Sequence, residues 1–156
     1  MLFRSVWGVV HAPVPQQTYW GGPGLGAWRR DALGTVTLRT NLRHDPSAIC
    51  RILASKNHLN ELTRAFIARI QPHVLLQAGS SLKFCRLAEG QADVYPRMSP
   101  TCEWDTAAAQ AVLEGAGGSV INLQGHPLAY SKPELLNPHF IAAAPGWLPL
   151  AESSIH

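Results

Sequence analysis

Charge is scarce in this chain. Only 15% of its 156 residues are Asp, Glu, Lys or Arg, and the formal net charge is +3. Such a balance, with no basic run, argues against nucleic acid as a partner and leaves room for a small anionic ligand. Long apolar runs are missing too; none approaches the roughly 20 residues of a membrane span. The opening "MLFRSVWGVVHAPV" lacks the apolar core and small-residue cleavage site of a secretory leader. Cysteine is sparse: Cys50, Cys85 and Cys102 are an odd number without C-x-x-C spacing. Reduced thiols in a cytoplasmic protein are therefore expected, with peripheral contact to the inner membrane face left open. Seven histidines show no H-E-x-x-H or other ligand spacing, which argues against zinc. Neither a G-x-S-x-G elbow nor a phosphate loop ending in G-K-[ST] is present. Repeats and low-complexity segments are absent as well.

What is there reads as a globular domain: 46% of residues are hydrophobic, enough for a real core at this length. "VWGVVHAPV" (6–14) is a β-branched run ended by prolines, hence a strand. "TYWGGPGLGAWRRD" carries Gly21, Gly22, Gly24 and Gly26 around Pro23. It has no strand-to-helix context for a dinucleotide turn and reads as a hairpin with aromatic flanks. "TVTLRTNLR" (35–43) alternates as a half-exposed strand does. From residue 48 the rhythm becomes strand–helix: "AICRILAS" as a buried strand, then "NELTRAFIARIQP" as a helix with Leu59, Leu62, Phe66 and Ile70 on one face, stopped by Pro72. "HVLLQAG" is a strand and "SSLKFCRLAEG" a helix capped by Ser80 or Ser81 and stopped at Gly90. "ADVYPR" is a third strand. "EWDTAAAQAVLEGAGG" is a helix closed by Gly117 and Gly118, followed by strands "SVINL" and "HFIAAAP". Alternation of this kind predicts an α/β chain with crossovers and a largely parallel or mixed sheet.

Ligands in such sheets bind beyond the carboxyl ends of the strands. Ser55, Lys56, Asn57 and His58 follow the first of these strands. Gly79, Ser80, Ser81 and then Lys83 follow the second, and Arg97 and Asp105 the third. In "GSSLK" a glycine, unpaired helical N–H groups, two hydroxyls and an ammonium converge, which suits a phosphate. A capped helix with its lysine in solvent fits the turn equally well. Arg97 adds a guanidinium fork for phosphate or is a surface arginine. His58 reads as a hydrogen-bonding residue beside a helix start or as a base, and Cys85 as core. Asp105 is either a helix cap or a ligand for a hard divalent cation bridging to phosphate. Local physics leaves both open.

"WDTAAAQAVLEGAGG" resembles the C-terminal signature of the inositol monophosphatase superfamily at Trp104, Asp105, Ala107, Ala108, Ala116, Gly117 and Gly118. "GSSLKFCRLAEGQADVYPR", with "GVVHAPV", "TYWGGPGLGAW" and "LNPHF", looks like its 3′(2′),5′-bisphosphate nucleotidase branch. The resemblance runs from about Trp7 to Ala144. It implies a layered α/β fold with a mixed sheet and flanking helices, and removal of the 3′-phosphate from adenosine 3′,5′-bisphosphate with Mg2+. By it, Asp105 binds metal, and His58, Gly79, Ser80, Ser81, Lys83, Arg97 and Asp105 surround the substrate. The superfamily's metal site also uses a glutamate and a D-P-[IL]-D-G-T motif, both N-terminal to the strand that "GVVHAPV" resembles. The ten acidic residues offer no substitute, and "DPSA" at Asp45 reads as a turn.

The expectation is thus a C-terminal portion without the N-terminal catalytic half. Residues 1–45 would be a remnant of the N-terminal sheet, 46–150 a C-terminal α/β domain and 151–156 a tail. Little activity is expected of the chain alone, and its first strand should present a free edge for self-association. A phosphatase for inositol phosphates or another small phosphomonoester is the nearest alternative. A non-catalytic nucleotide-binding module is the alternative of another class.

Overall fold

A computed structural model describes residues 3–42, 47–55, 59–79 and 81–155. His58 and Ser80, as well as Asp45, Lys56 and Asn57, fall outside these. The chain builds two sheets. β1 (Gly8–Ala12), β2 (Gln17–Gly22), β3 (Gly26–Asp31) and β4 (Gly34–Thr37) form an antiparallel meander in chain order. The glycine-rich stretch is the β2–β3 hairpin, turning at Pro23–Leu25 with Gly24 at φ +75°. The second sheet contains β5 (Cys50–Ala54), β6 (His73–Gln77), β7 (Val94–Arg97), β8 (Ser119–Asn122) and β9 (Phe140–Ala143), in the order β6-β5-β7-β9-β8. β5 runs parallel to β6 and β7, while β9 is antiparallel to β7 and β8. The sheet is mixed, as the alternation of elements predicts.

Helices α1 (Glu61–Arg69), α2 (Leu82–Ala88), α3 (Glu103–Gly115) and α4 (Leu148–Ser153) complete the chain. Strand periodicity places them, because successive side chains point to opposite faces. Leu53, Phe140 and Ala142 point into a core shared with α2, α3 and the first sheet. Cys50, Ile52, Ile141 and Ala143 point into a second core beneath α1 and α4. The layers are therefore sheet, helices, sheet, helices.

Three local expectations change. Leu62 is 59% exposed, and the inward face of α1 is Thr63, Phe66 and Ile67, with Leu59 and Ile70 at its ends. At about 100° per residue, Leu62 lies beyond Phe66 on the outer side of that stripe. β4 stops at Thr37; Leu38 and Thr40 are then buried by backbone bonds to Ala27 and Ala116. Residues 151–155 do not trail off: Ala151 is buried in α4 and Ile155 packs on the second core.

α3 is the shared layer. It can serve both sheets only because its contact residues are small. A Cβ on Gly115 would lie 2.3 Å from the Gly26 oxygen, and one on Gly8 would lie 2.2 Å from the Ala108 oxygen. Backbone therefore meets backbone near the middle of the helix and at its C-terminal end.

A second tie joins the sheets at the far end of α2. Glu89, with a side chain only 3% exposed, accepts from the Tyr19 hydroxyl at 3.0 Å, Arg29 at 2.6 Å and Arg86 at 2.7 Å. Burial first, and then the Glu89 carboxylate, push the Tyr19 hydroxyl well above its usual range. Removing one member of a buried ionic cluster strands the others. Arg29 and Arg86 still reach water, which softens the loss. Glu89→Ala should cost about 2–3 kcal/mol in urea unfolding, below the value for a fully buried pair. An unchanged midpoint would show that Glu89 holds nothing.

Candidate active site

The parallel strands β5, β6 and β7 end at the same side of their sheet, and each leads towards a helix start. Lys83 rises from the first turn of α2, Arg97 ends β7, and Asp105 lies in the first turn of α3. Crossover topology thus gathers residues that are far apart in sequence.

Lys83 is the least ordinary of them. Its side chain is 2% exposed, and its ammonium lies 5.2 Å from the centre of the Tyr95 ring. Among the described residues no carboxylate pairs with it. Burial, and then the neighbouring Arg97 charge, lower its pKa from 10.5 to about 8. Arg97 donates through Nη2 to the Pro100 carbonyl at 3.3 Å, while its buried Nε has no partner among the described residues. Burial raises the Tyr95 hydroxyl pKa, opposed by the Arg97 charge and hydrogen bond, with Asp105 close enough to add to the rise. Two cations that no described carboxylate pairs thus adjoin one aromatic floor. Burying unpaired charge is expensive unless something of opposite sign compensates it.

Asp105 performs the capping role. Its Oδ2 accepts the Cys102 N–H at 2.8 Å, closing the first turn of α3. The carboxylate is nonetheless exposed, and Oδ1 has no hydrogen-bond partner among the described residues. Ser81 does not cap α2: it already has helical φ and ψ, and its hydroxyl donates to the Asp105 carbonyl at 3.3 Å. The starts of α2 and α3 are thereby joined. Gly79 is exposed, its φ is not left-handed, and a Cβ there would meet nothing within 4 Å. Neither strain nor a described neighbour requires glycine at that position; an approaching ligand would.

The sequence-predicted residues Ser81, Lys83, Arg97 and Asp105 are thus brought to one end of the sheet, with Gly79 at its rim. Two residues not singled out belong with them. Tyr95 supplies the floor; its place at the end of an apolar strand next to Arg97 was the available signal. Asn137 donates to the Cys102 carbonyl at 2.8 Å and to the hydroxyls of Thr101 and Thr106. It holds the turn that presents Asp105. Nothing local to "LNPHF" announces that bond, which spans 35 residues.

A divalent cation finds only part of what it needs. The free oxygen of Asp105 suits a hard metal, but the described residues contain no group of three or more His, Cys, Asp or Glu that could hold one. Magnesium wants near-octahedral oxygen coordination. The described residues do not form a complete magnesium site; Asp105 brings one carboxylate oxygen without a hydrogen-bond partner among them.

Residues 4–155 match the inositol monophosphatase family. The chain is 37% identical over 138 residues to the 3′(2′),5′-bisphosphate nucleotidase CysQ of Escherichia coli, covering 88% of this chain and 54% of that protein. The crystal structure of CysQ from Bacteroides thetaiotaomicron superposes with a TM-score of 0.78 at 35% identity, over 89% of this chain and 58% of that one. Mycobacterium tuberculosis SuhB gives 0.74 at 25% identity over 96% and 58%. The chain therefore spans little more than half the length of the relatives it matches.

The amine also sets a pH dependence. Lys83 binds its proton more weakly folded than unfolded, so keeping it charged opposes folding below pH 8. That opposition fades as pH rises through about 8 towards 10.5. Stability should therefore rise across that interval in the wild type, and Lys83→Met should flatten the slope. Urea midpoints measured across that range decide it; parallel curves would place the amine in water.

Proposed function

The chain belongs to the inositol monophosphatase family, and from that membership we propose that its Lys83–Arg97–Asp105 cluster binds a 3′,5′-bisphosphorylated adenosine for removal of the 3′-phosphate. The observation that carries this reading is the buried Lys83 ammonium, unpaired among the described residues and set beside Arg97. Two adjacent cations suit a ligand with more than one phosphate. The name of the Escherichia coli relative, a 3′(2′),5′-bisphosphate nucleotidase, supports a substrate of that class.

In this reading Lys83 neutralises a phosphoryl oxygen from within the protein, where charge is poorly screened. Arg97 offers its unpartnered Nε and a fixed fork to a second oxygen. Ser81 stays on the Asp105 carbonyl and keeps the two helix starts in register. Gly79 admits the ligand to the backbone at the start of α2, with Ser80 and His58 as further ligand contacts by family resemblance. Asp105 offers its free oxygen to Mg2+, whose remaining ligands would come from outside the described residues. We further assign the protein to the cytoplasm and to sulfur assimilation, with an exposed sheet edge from which self-association can start. Cys50, Cys85 and Cys102 are not joined in disulfides, in keeping with that compartment. Among the described residues, no helix is long and apolar enough to cross a membrane.

A nucleotide-binding role without catalysis is the second reading, favoured by the single carboxylate ligand among the described residues. Calorimetry with adenosine 3′,5′-bisphosphate, with and without magnesium, should show binding that Lys83→Met weakens at least tenfold. Phosphate release by the 156-residue chain alone should stay at background. Turnover lost on Asp105→Asn would instead mean that this chain holds a working metal site. No binding to the wild type would remove the nucleotide reading, and stronger competition by an inositol monophosphate would replace it.

A further inference from the structure

Thr106, Gln110 and Glu114 recur at every fourth residue of α3 and so share one ridge of the helix. The ridge is polar, yet Thr106 and Gln110 are each only 1% exposed. Buried polar groups are tolerated where hydrogen bonds satisfy them. Gln110 donates through Nε2 to Glu114 at 2.8 Å and to the Leu128 carbonyl at 3.2 Å. Its Oε1 accepts the Tyr130 hydroxyl at 2.6 Å. The Tyr130 oxygen in turn lies 3.1 Å from the Thr106 hydroxyl, and Thr106 Oγ1 accepts from Asn137 Nδ2 at 3.0 Å. One buried chain thus joins Glu114, near the end of α3, to the residue that holds the turn before Asp105.

The bonds of this chain can run in one direction only. An ionised carboxylate accepts and cannot donate, so Glu114 takes the Gln110 nitrogen and leaves Oε1 facing Tyr130. Tyr130 has a single hydroxyl proton, and Gln110 takes it at the shorter of the two distances. Burial raises the Tyr130 pKa, which keeps that proton in place, while the Thr106 bond opposes the rise. The Tyr130 oxygen is then left to accept from Thr106. The Glu103 carbonyl, 3.2 Å from Thr106 Oγ1, draws the same proton away on the other side. Either way the Thr106 oxygen faces Asn137 as an acceptor. Bonds aligned on a charge polarise and strengthen one another.

At Asn137 the direction of the chain decides an orientation. Its Nδ2 reaches the Cys102 carbonyl at 2.8 Å, but its buried Oδ1 has no partner among the described residues. An orphaned buried acceptor is costly. Turned over, the amide would satisfy Oδ1 with the Thr106 proton and abandon the Cys102 carbonyl. We infer that Thr106, Tyr130 and Gln110 are positioning residues for Asp105: by drawing the Thr106 proton away from Asn137, they keep its amide on the Cys102 carbonyl and so fix the turn that aims the carboxylate. The inference rests on the proposed ligand role of Asp105 for its bearing on function, whereas the orientation itself needs neither nucleotide nor metal.

NMR of the 156-residue chain tests it through solvent exchange of the Asn137 side-chain amide protons and the Cys102 backbone amide. Tyr130→Phe and Thr106→Val should each speed both at least tenfold. Amides in the middle of α3 should quicken no more than the loss of global stability in urea accounts for. Glu89→Ala, which loosens the fold from the far end of α2, is the matched control and should quicken all of them evenly. Thr106→Ser keeps the hydroxyl and should restore wild-type exchange. Two variants in different elements guard against either one misfolding. Even acceleration along α3 in both, or Thr106→Ser behaving as Thr106→Val, would overturn the inference. Failure of the wild type to bind adenosine 3′,5′-bisphosphate would remove the substrate reading and leave these exchange rates, and the positioning they report, standing.

Discussion

The constraint on which this molecule depends is the thinness of α3. A helix lying between two sheets normally holds them apart by the length of its side chains, yet here Gly8 rests on the Ala108 carbonyl and Gly115 on Gly26. Alanines and glycines remove the spacer, so the antiparallel meander comes down onto the helix backbone. Close seating at its middle and at its C-terminal end fixes the axis of α3 against the first sheet. Its first turn then has to emerge where the parallel strands β5, β6 and β7 end. The place of Asp105 is thus a consequence of what α3 lacks.

The candidate site combines rigid supports with uncompensated charge. Glu89 ties α2 to the hairpin, Asn137 ties the start of α3 to its preceding turn, and Ser81 ties the two helices together. Within that frame Lys83 carries a charge that no described carboxylate balances. A protein interior tolerates such a cation where a ligand regularly completes it, and an abnormal pKa beside a strand terminus is the electrostatic trace of that arrangement. The burden falls on the folded state, a trade of stability for readiness that functional sites commonly make.

Much of this was legible in the chain. A β-branched run marked β1, and short apolar runs alternating with helical patterns marked β5, β6, β7 and β9, because strand formation leaves a local pattern bounded by turns. The crossover rule then brought Lys83, Arg97 and Asp105 together from positions up to 22 residues apart. Misjudged were Leu62, where apolar spacing of four drifts off the buried stripe, and Ser81, whose side chain turned from its own helix to the next. Glu89 and Asn137 went unnoticed for a different reason. Their long-range partners lie 31 to 70 residues away, and a hydrogen bond across that span leaves no periodic signature. Burial without pairing, which distinguishes Lys83, is likewise a property of three-dimensional surroundings.

The capping bond of Asp105 has a consequence beyond the helix. Because Oδ2 is engaged by the Cys102 N–H, the carboxylate is held in one orientation before any cation arrives. An unrestrained side chain would lose rotamer freedom on coordination; this one has already lost it to folding. In the proposed metal-binding role the free oxygen would be a pre-aimed ligand, and filling or emptying it would demand no rearrangement of α3. Ion exchange there would leave the helix beneath it standing still.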